Sequence, residues 1–103
     1  MTETLKTISP VDGRIYVERP LQTAADIDGA LQAAQRAQVA WGSASLAERC
    51  TLLGKAVDAF VAKSADIAAE ITWQMGRPLR YTPGEVKGFE ERARYMLDRK
   101  SVV

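Results

Sequence analysis

Few side chains in this sequence could carry out covalent or acid–base chemistry. The 103 residues include no histidine, which removes the usual general base, the usual imidazole metal ligand and every nucleophile activated by a histidine. Cys50 is the only cysteine, and it lies on the apolar stripe of a predicted helix. A free cysteine in that setting packs as a small hydrophobe, so Cys50 is not predicted to be a nucleophile.

The remaining candidate groups also favour structural roles. Glu90 and Glu91 are consecutive, so on a helix they point about 100° apart and do not converge on one substrate; we expect both to be solvated. The glycines form neither a dinucleotide-binding pattern nor a P-loop, and Gly84 and Gly88 are only a two-glycine spacing. The sequence therefore predicts no catalytic, cofactor-binding or metal-binding residue in this chain.

Composition excludes several kinds of partner. Hydrophobic residues make up 47% and charged residues 26% of the chain, which is typical of one small globular domain. A formal net charge of +1 gives no field that attracts nucleic acid. One cysteine allows no internal disulfide, and no apolar run reaches membrane-spanning length. We expect a soluble, cytoplasmic protein with neither a nucleic-acid nor a membrane partner.

Periodicity predicts a mostly α fold with an N-terminal β-hairpin, an α+β fragment. Residues of high strand propensity flank the Asp12-Gly13 step, which predicts a hairpin at about 7–19 that ends before Pro20. From Thr23 onward the apolar period is about 3.6 residues. This period, with its capping residues and breakers, predicts helices at about 23–41, 45–63, 64–75 and 82–98.

Polar side chains that can satisfy free backbone N–H groups stand at the predicted helix starts. They are Thr23 with Asp26, Ser45 with Glu48, Ser64, and Thr82. For the fourth helix, a start at Thr82 puts Pro83 at the favoured first helical position. The alternative start at Pro78 would leave Pro83 inside the helix and remove a hydrogen bond.

Each predicted helix carries an apolar stripe that we expect to face a core. The stripes comprise Ile27, Ala30, Leu31, Ala34, Ala37 and Trp41 in the first helix, Leu46, Cys50, Leu53, Val57, Phe60 and Val61 in the second, Ile67, Ile71 and Met75 in the third, and Val86, Phe89, Ala93, Met96 and Leu97 in the fourth. Glu90 and Arg94, four residues apart, are predicted to pair on the outer face.

The order of these segments resembles the N-terminal region of the NAD(P)-dependent aldehyde dehydrogenase superfamily. The resemblance runs from about Ile8 to Leu97 and rests on six matching segments: 8–13, 25–34, 40–41, 46–49, 71–78 and 84–86. The chain departs from the family pattern at scaffold positions, with Ser9 for an asparagine, Leu46 for a proline, Arg77 for a lysine, and Pro83 within a usually unbroken helix.

The resemblance implies that the chain belongs to the α/β cofactor-binding domain of a parent enzyme. That parent oxidises an aldehyde to an acid through a cysteine thiohemiacetal, hydride transfer to NAD or NADP, and hydrolysis aided by a glutamate base. The family's nucleophile, base and dinucleotide motifs have no counterpart in residues 1–103, and Cys50 falls at a non-catalytic position. We therefore expect a single incomplete domain, 1–103, that binds no cofactor by itself.

The resemblance also identifies positions near a cation site. In some family members the backbone at the hairpin start and an acidic residue before a Gly-Lys-Pro step help hold a structural monovalent cation. The matching positions are Thr7, Ile8 and Gln74. Gln74 supplies a neutral amide where hard cations favour charged oxygen, so no cation binding is expected here.

Two hypotheses follow for the chain as a whole. In the first it is a truncated aldehyde dehydrogenase, inactive alone, whose last residues, 98–103, end within a helix that the family continues. In the second it is a stand-alone helical module that docks on a partner chain, such as a full-length dehydrogenase. Both predict exposed apolar helix faces that lead to self-association or docking.

Overall fold

The computed structural model describes residues 3–99, in which a two-stranded antiparallel hairpin precedes four helices. The elements are β1 Thr4–Ile8, β2 Ile15–Pro20, α1 Ala24–Ser43, α2 Leu46–Val61, α3 Ser64–Met75 and α4 Pro83–Asp98. The predicted mostly α fold with an N-terminal hairpin is confirmed. None of the helices in this described stretch is long and apolar enough to cross a bilayer.

The hairpin is longer than the sequence predicted. β1 begins at Thr4 instead of residue 7, and Thr4 pairs with Pro20, which lies inside β2 and not beyond its end. Proline is tolerated there because each strand of a two-stranded sheet is an edge, where a missing N–H removes no interior ladder bond. The Asp12-Gly13 turn is confirmed: Gly13 has φ +75°, and its N–H donates to the Ser9 carbonyl at 2.8 Å.

Reciprocal capping boxes begin the first two helices, as predicted. The Asp26 and Glu48 backbone N–H groups donate to the Thr23 and Ser45 hydroxyls, both at 3.1 Å. In return, the Asp26 and Glu48 carboxylates accept the Thr23 and Ser45 backbone N–H groups at 3.0 and 2.8 Å. These hydrogen bonds to the ionised form lower the pKa of both carboxyls.

The third and fourth helices begin without the predicted side-chain caps. Ser64 is the first residue of α3, and no side-chain hydrogen bond caps this helix. Pro83 does begin α4, but the Thr82 hydroxyl donates backwards to the Leu79 carbonyl at 3.2 Å. Thr82 already has helical angles, φ −65° and ψ −31°, whereas a capping side chain requires an extended backbone.

The core lies where α2 and α3 pack against α4. Val57, Ala68 and Val86 are its buried apolar residues within the described chain. The Phe60 and Phe89 rings meet beside them, with centroids 4.3 Å apart and planes at 50°. Each of these three helices therefore contributes a buried apolar residue to one small contact region.

An ion-pair network ties α2 to α4 at the edge of this core. Arg94 donates to Glu90 at 2.8 and 3.0 Å, as predicted, and also to Asp58 at 2.7 Å. The hydrogen bonds to Asp58 and then to Glu90 raise the pKa of Arg94 further above its ordinary value. Glu90 is partly exposed, and the approach of α2 and α4 brings Asp58 to the same guanidinium.

Several predicted core residues are exposed instead. No residue of α1 is buried, and Ile27 and Leu31 of its apolar stripe are 52% and 63% exposed. Met75 in α3 and Met96 in α4 are 71% and 67% exposed. The prediction of inward packing is wrong for these residues because no other described element lies over them. The Cα radius of gyration is accordingly 18.0 Å, against roughly 13 Å for a compact chain of this length.

Candidate functional site

Residues 3–99 bring together no group of three or more histidine, cysteine, aspartate or glutamate side chains that could hold a metal ion. Cys50 is half-buried on α2 and borders a shallow pocket of about 270 Å³ with Arg94. The Arg94 charge is already balanced by Asp58 and Glu90, so it is not available to hold a thiolate. We infer a packing role for Cys50 from these surroundings.

The three positions matched to a cation site have other contacts. The Gln74 amide donates to Glu70 Oε2 at 2.8 Å, one turn back on the same helix. Thr7 is half-buried at the end of β1, and Ile8 is exposed. Gln74 is thus hydrogen-bonded within α3, while the absence of a cation site stays a prediction.

The hairpin docks on the end of α3 through Ser9. This residue is almost fully buried; its hydroxyl donates to the Trp73 carbonyl and accepts the Val11 N–H at 3.2 Å. Beside it the Tyr16 ring stacks on Trp73, with centroids 6.0 Å apart and planes at 6°, and the Tyr16 hydroxyl donates to Glu70 Oε1 at 2.7 Å. This joint orients the hairpin and contains no group poised for catalysis.

The Tyr16–Glu70 hydrogen bond shifts the pKa of both partners. It is the largest cause that raises the pKa of Tyr16 and the largest cause that lowers the pKa of Glu70, with the Gln74 amide second for Glu70. A raised tyrosine pKa adds stability below its ordinary value of 10.0, lost as the pH rises through the folded-state pKa. A lowered glutamate pKa adds stability above 4.5, lost as the pH falls through the folded-state pKa.

We expect Tyr16→Phe to lower the urea midpoint at neutral pH. The difference from the wild type should vanish in strong acid, where Glu70 is protonated, and in strong base, where wild-type Tyr16 is ionised. Urea midpoints measured across the pH range test this expectation. Tyr81→Phe is the matched control, because Tyr81 is exposed and its hydroxyl makes no hydrogen bond within residues 3–99. A Tyr16→Phe effect that is independent of pH would contradict the assignment.

A groove lies between α1 and α2. The two helices are joined by residues 44–45 alone and diverge from that connection to form a groove of about 860 Å³. We call this the α1/α2 groove. Its lining is mostly apolar and comprises Ala34, Ala37, Gln38, Ala40, Trp41, Ala44, Glu48, Arg49 and Leu52. Four of the nine lining residues are alanines, and the groove is open to solvent.

Arg49 is the unusual polar residue of the α1/α2 groove. Its Nε atom is buried and has no hydrogen-bond partner among the described residues. Within residues 3–99, no carboxylate lies within 4.0 Å of its guanidinium. Sequence analysis missed this residue, because a helical arginine ordinarily extends into solvent and its lack of a partner depends on how α1 and α2 are placed.

A second groove, of about 590 Å³, lies between α2 and α4. Its lining is almost entirely apolar and comprises Leu53, Ala56, Val57, Phe60, Phe89, Ala93, Met96 and Leu97. Neither groove places a nucleophile beside a general base. Exposed apolar grooves of this kind are typical of interaction surfaces.

Comparison with known proteins identifies related chains. The family model described as "Aldehyde dehydrogenase family" matches residues 1–101. An aldehyde dehydrogenase of Deinococcus radiodurans is 40% identical over 74 residues, 72% of this chain and 14% of the relative. A fluoroacetaldehyde dehydrogenase of Streptantibioticus cattleyicolor is 42% identical over 72 residues, 70% of this chain and 14% of the relative.

A long-chain-aldehyde dehydrogenase of an Acinetobacter species is 40% identical over 75 residues, 73% of this chain and 15% of the relative. The matched part of the chain thus spans about one seventh of the length of these curated relatives. No solved structure gives a significant match.

Proposed function

Because this chain belongs to the aldehyde dehydrogenase family, we propose that it forms the N-terminal part of the cofactor-binding domain of an NAD(P)-dependent aldehyde dehydrogenase. The whole enzyme would oxidise an aldehyde to a carboxylic acid. In this proposal residues 1–103 supply scaffold, and the groups that transfer hydride and hydrolyse the acyl intermediate lie elsewhere in the enzyme. The chain alone is therefore inactive and, with its one free cysteine, cytoplasmic.

The observation that carries this proposal is the match itself. A family model covers residues 1–101, while the matched segment accounts for only 14–15% of each relative named above. The chemistry of the described residues agrees with a scaffold role, because Cys50 lies beside an arginine that already has two carboxylate partners. The names of the relatives refer to different aldehydes, so we propose aldehydes as a class for the substrate of the whole enzyme.

Titration of the purified 103-residue chain with NAD and NADP tests the proposed inactivity. We expect neither saturable binding nor formation of reduced cofactor with a short or a long aliphatic aldehyde. The full-length Deinococcus radiodurans enzyme, assayed in parallel, is the positive control. Saturable cofactor binding by the 103-residue chain would overturn the proposal, since it requires a nucleotide site within these residues.

The exposed faces of α1 favour a second function, a helical module that docks on a complete partner chain. The observation that supports this second function is that α1, a helix of 20 residues, has no buried residue. Sedimentation of the 103-residue chain mixed with a full-length aldehyde dehydrogenase separates the two proposals. A stoichiometric complex with the intact enzyme would support the module, because an N-terminal scaffold piece would find its place already occupied there.

A further inference from the structure

We propose that the α1/α2 groove receives an apolar, carboxylate-bearing segment from the rest of an aldehyde dehydrogenase chain, and that this carboxylate pairs with Arg49. The identity of the occupant rests on the proposed function, which places most of the enzyme outside residues 1–103. The position of the contact follows from the α1/α2 groove. The proposal adds to the scaffold role one contact residue, Arg49, and the chemistry of the segment that it binds.

The surface area of the whole chain indicates how much of it other protein can cover. A compact monomer of 11.3 kDa exposes roughly 5,700 Å², whereas this chain exposes 8314 Å². The excess of roughly 2,600 Å² is about three times the 800 Å² that each partner buries in a standard interface. A surface of that extent fits coverage by the body of a larger enzyme better than one contact with a second copy.

Arg49 determines the charge of the occupant. A buried guanidinium nitrogen without an acceptor is costly, and the structure pairs Arg94, on the neighbouring helix, with two carboxylates. Glu48 also lines the groove, but its carboxylate accepts the Ser45 N–H in the capping box of α2. The Arg49 Nε atom is covered by the chain itself, but no carboxylate of residues 3–99 lies within 4.0 Å of the guanidinium, so a carboxylate of the occupant would pair with the terminal nitrogens, whose forked geometry it matches.

The rest of the lining determines the character of the segment around that carboxylate. Trp41 and Leu52 are 37% and 55% exposed on either side of the groove, and alanines form much of its floor. A polar segment would not complement the apolar lining of the groove. An apolar segment would bury Trp41 and shield the Arg49 ion pair from water, which strengthens the pair.

Photo-cross-linking tests the proposal on the 103-residue chain. Leu52 is replaced by benzoylphenylalanine, and the chain is mixed with the Deinococcus radiodurans aldehyde dehydrogenase, either intact or lacking the 74 residues that match this chain. We expect a cross-link to the shortened enzyme, mapped to a peptide that contains aspartate or glutamate, and at least tenfold less product with the intact enzyme. Benzoylphenylalanine at Lys55, an exposed position outside the groove on the same helix, is the control.

Charge reversal tests the role of Arg49. Arg49→Glu is expected to reduce the cross-linked product at least tenfold, whereas Arg36→Glu, an exposed arginine on α1 outside the groove, leaves it unchanged. Equal loss in both variants would overturn the pairing. A cross-link to a second copy of the chain, or an equal yield with the intact enzyme, would overturn the proposed occupant.

A fused chain, in which residues 1–103 replace the matching segment of the Deinococcus radiodurans enzyme, keeps the test decisive if the shortened enzyme does not fold. In the fused chain Arg49→Glu is expected to lower the melting temperature, and Arg36→Glu is not. Equal melting temperatures would overturn the Arg49 contact. Failure of the proposed function is distinguishable, because it would appear as cofactor binding by the 103-residue chain alone.

Discussion

Val86→Asp is expected to unfold most of the α2, α3 and α4 assembly. Val86 is 3% exposed on α4, the helix that both other members pack against. A carboxylate placed there has no cation among the buried residues, and an uncompensated buried charge costs about 3–5 kcal/mol. That cost approaches the whole stability of a small domain, about 5 kcal/mol at the low end. Far-UV circular dichroism and urea denaturation measure the loss.

The same substitution at Val39 is the matched control. Val39 also lies in a helix, but it is 74% exposed on α1, so Val39→Asp should change the free energy of unfolding by less than about 0.5 kcal/mol. Similar losses at the two positions would show that helix propensity, and not burial, causes the effect. In that case the small core defined by Val57, Ala68 and Val86 would not be what holds the helices together.

Gly76→Ala is expected to release the hairpin from α3 at a cost of about 3 kcal/mol. Gly76 ends α3 with φ +77°, a conformation that side chains with a Cβ rarely adopt. A Cβ at this position would lie 2.8 Å from Pro10 Cγ. Pro10 Cγ belongs to a rigid ring and follows Ser9, the residue that docks the hairpin on α3. Relief of that clash would move Pro10 away and break the hydrogen bond from Ser9 to the Trp73 carbonyl.

Gly13→Ala separates the two components of this cost. Gly13 has nearly the same angle, φ +75°, but a Cβ there has no neighbour within 4 Å, so only the backbone penalty of about 1 kcal/mol applies. Trp73 fluorescence, measured in a Trp41→Phe background that leaves one tryptophan, reports whether Tyr16 still stacks on it. Equal costs for Gly13→Ala and Gly76→Ala would show that the Pro10 contact contributes nothing.

The contacts within the described residues fall into two separate groups. Ser9, Pro10, Trp73 and Gly76 join the hairpin to α3, whereas α2, α3 and α4 share a small core. α1 belongs to neither group, and its apolar residues, with Arg49 across the α1/α2 groove, face outward. The parts of the molecule that bind to one another are thus distinct from the part available to the remainder of the proposed enzyme.

Local chemistry was sufficient to predict the elements of this fold. The Asp12-Gly13 turn, the two capping boxes and the glycine that ends α3 act over a few residues, so their effects are determined by neighbours in the chain. The Glu90–Arg94 pair follows from the same short-range geometry. The family resemblance follows from the order of these local signals.

Tertiary structure decided which apolar stripes are buried and which polar groups have partners. Ile27 and Val86 occupy equivalent places in their helical stripes, yet Ile27 is exposed and Val86 is buried, because α4 packs against α2 and α3 whereas no described element covers Ile27. Arg94 gains Asp58 from another helix, while Arg49 gains no partner within the described chain. Burial and ion pairing depend on distances between residues far apart in sequence, and helical periodicity contains no information about those distances.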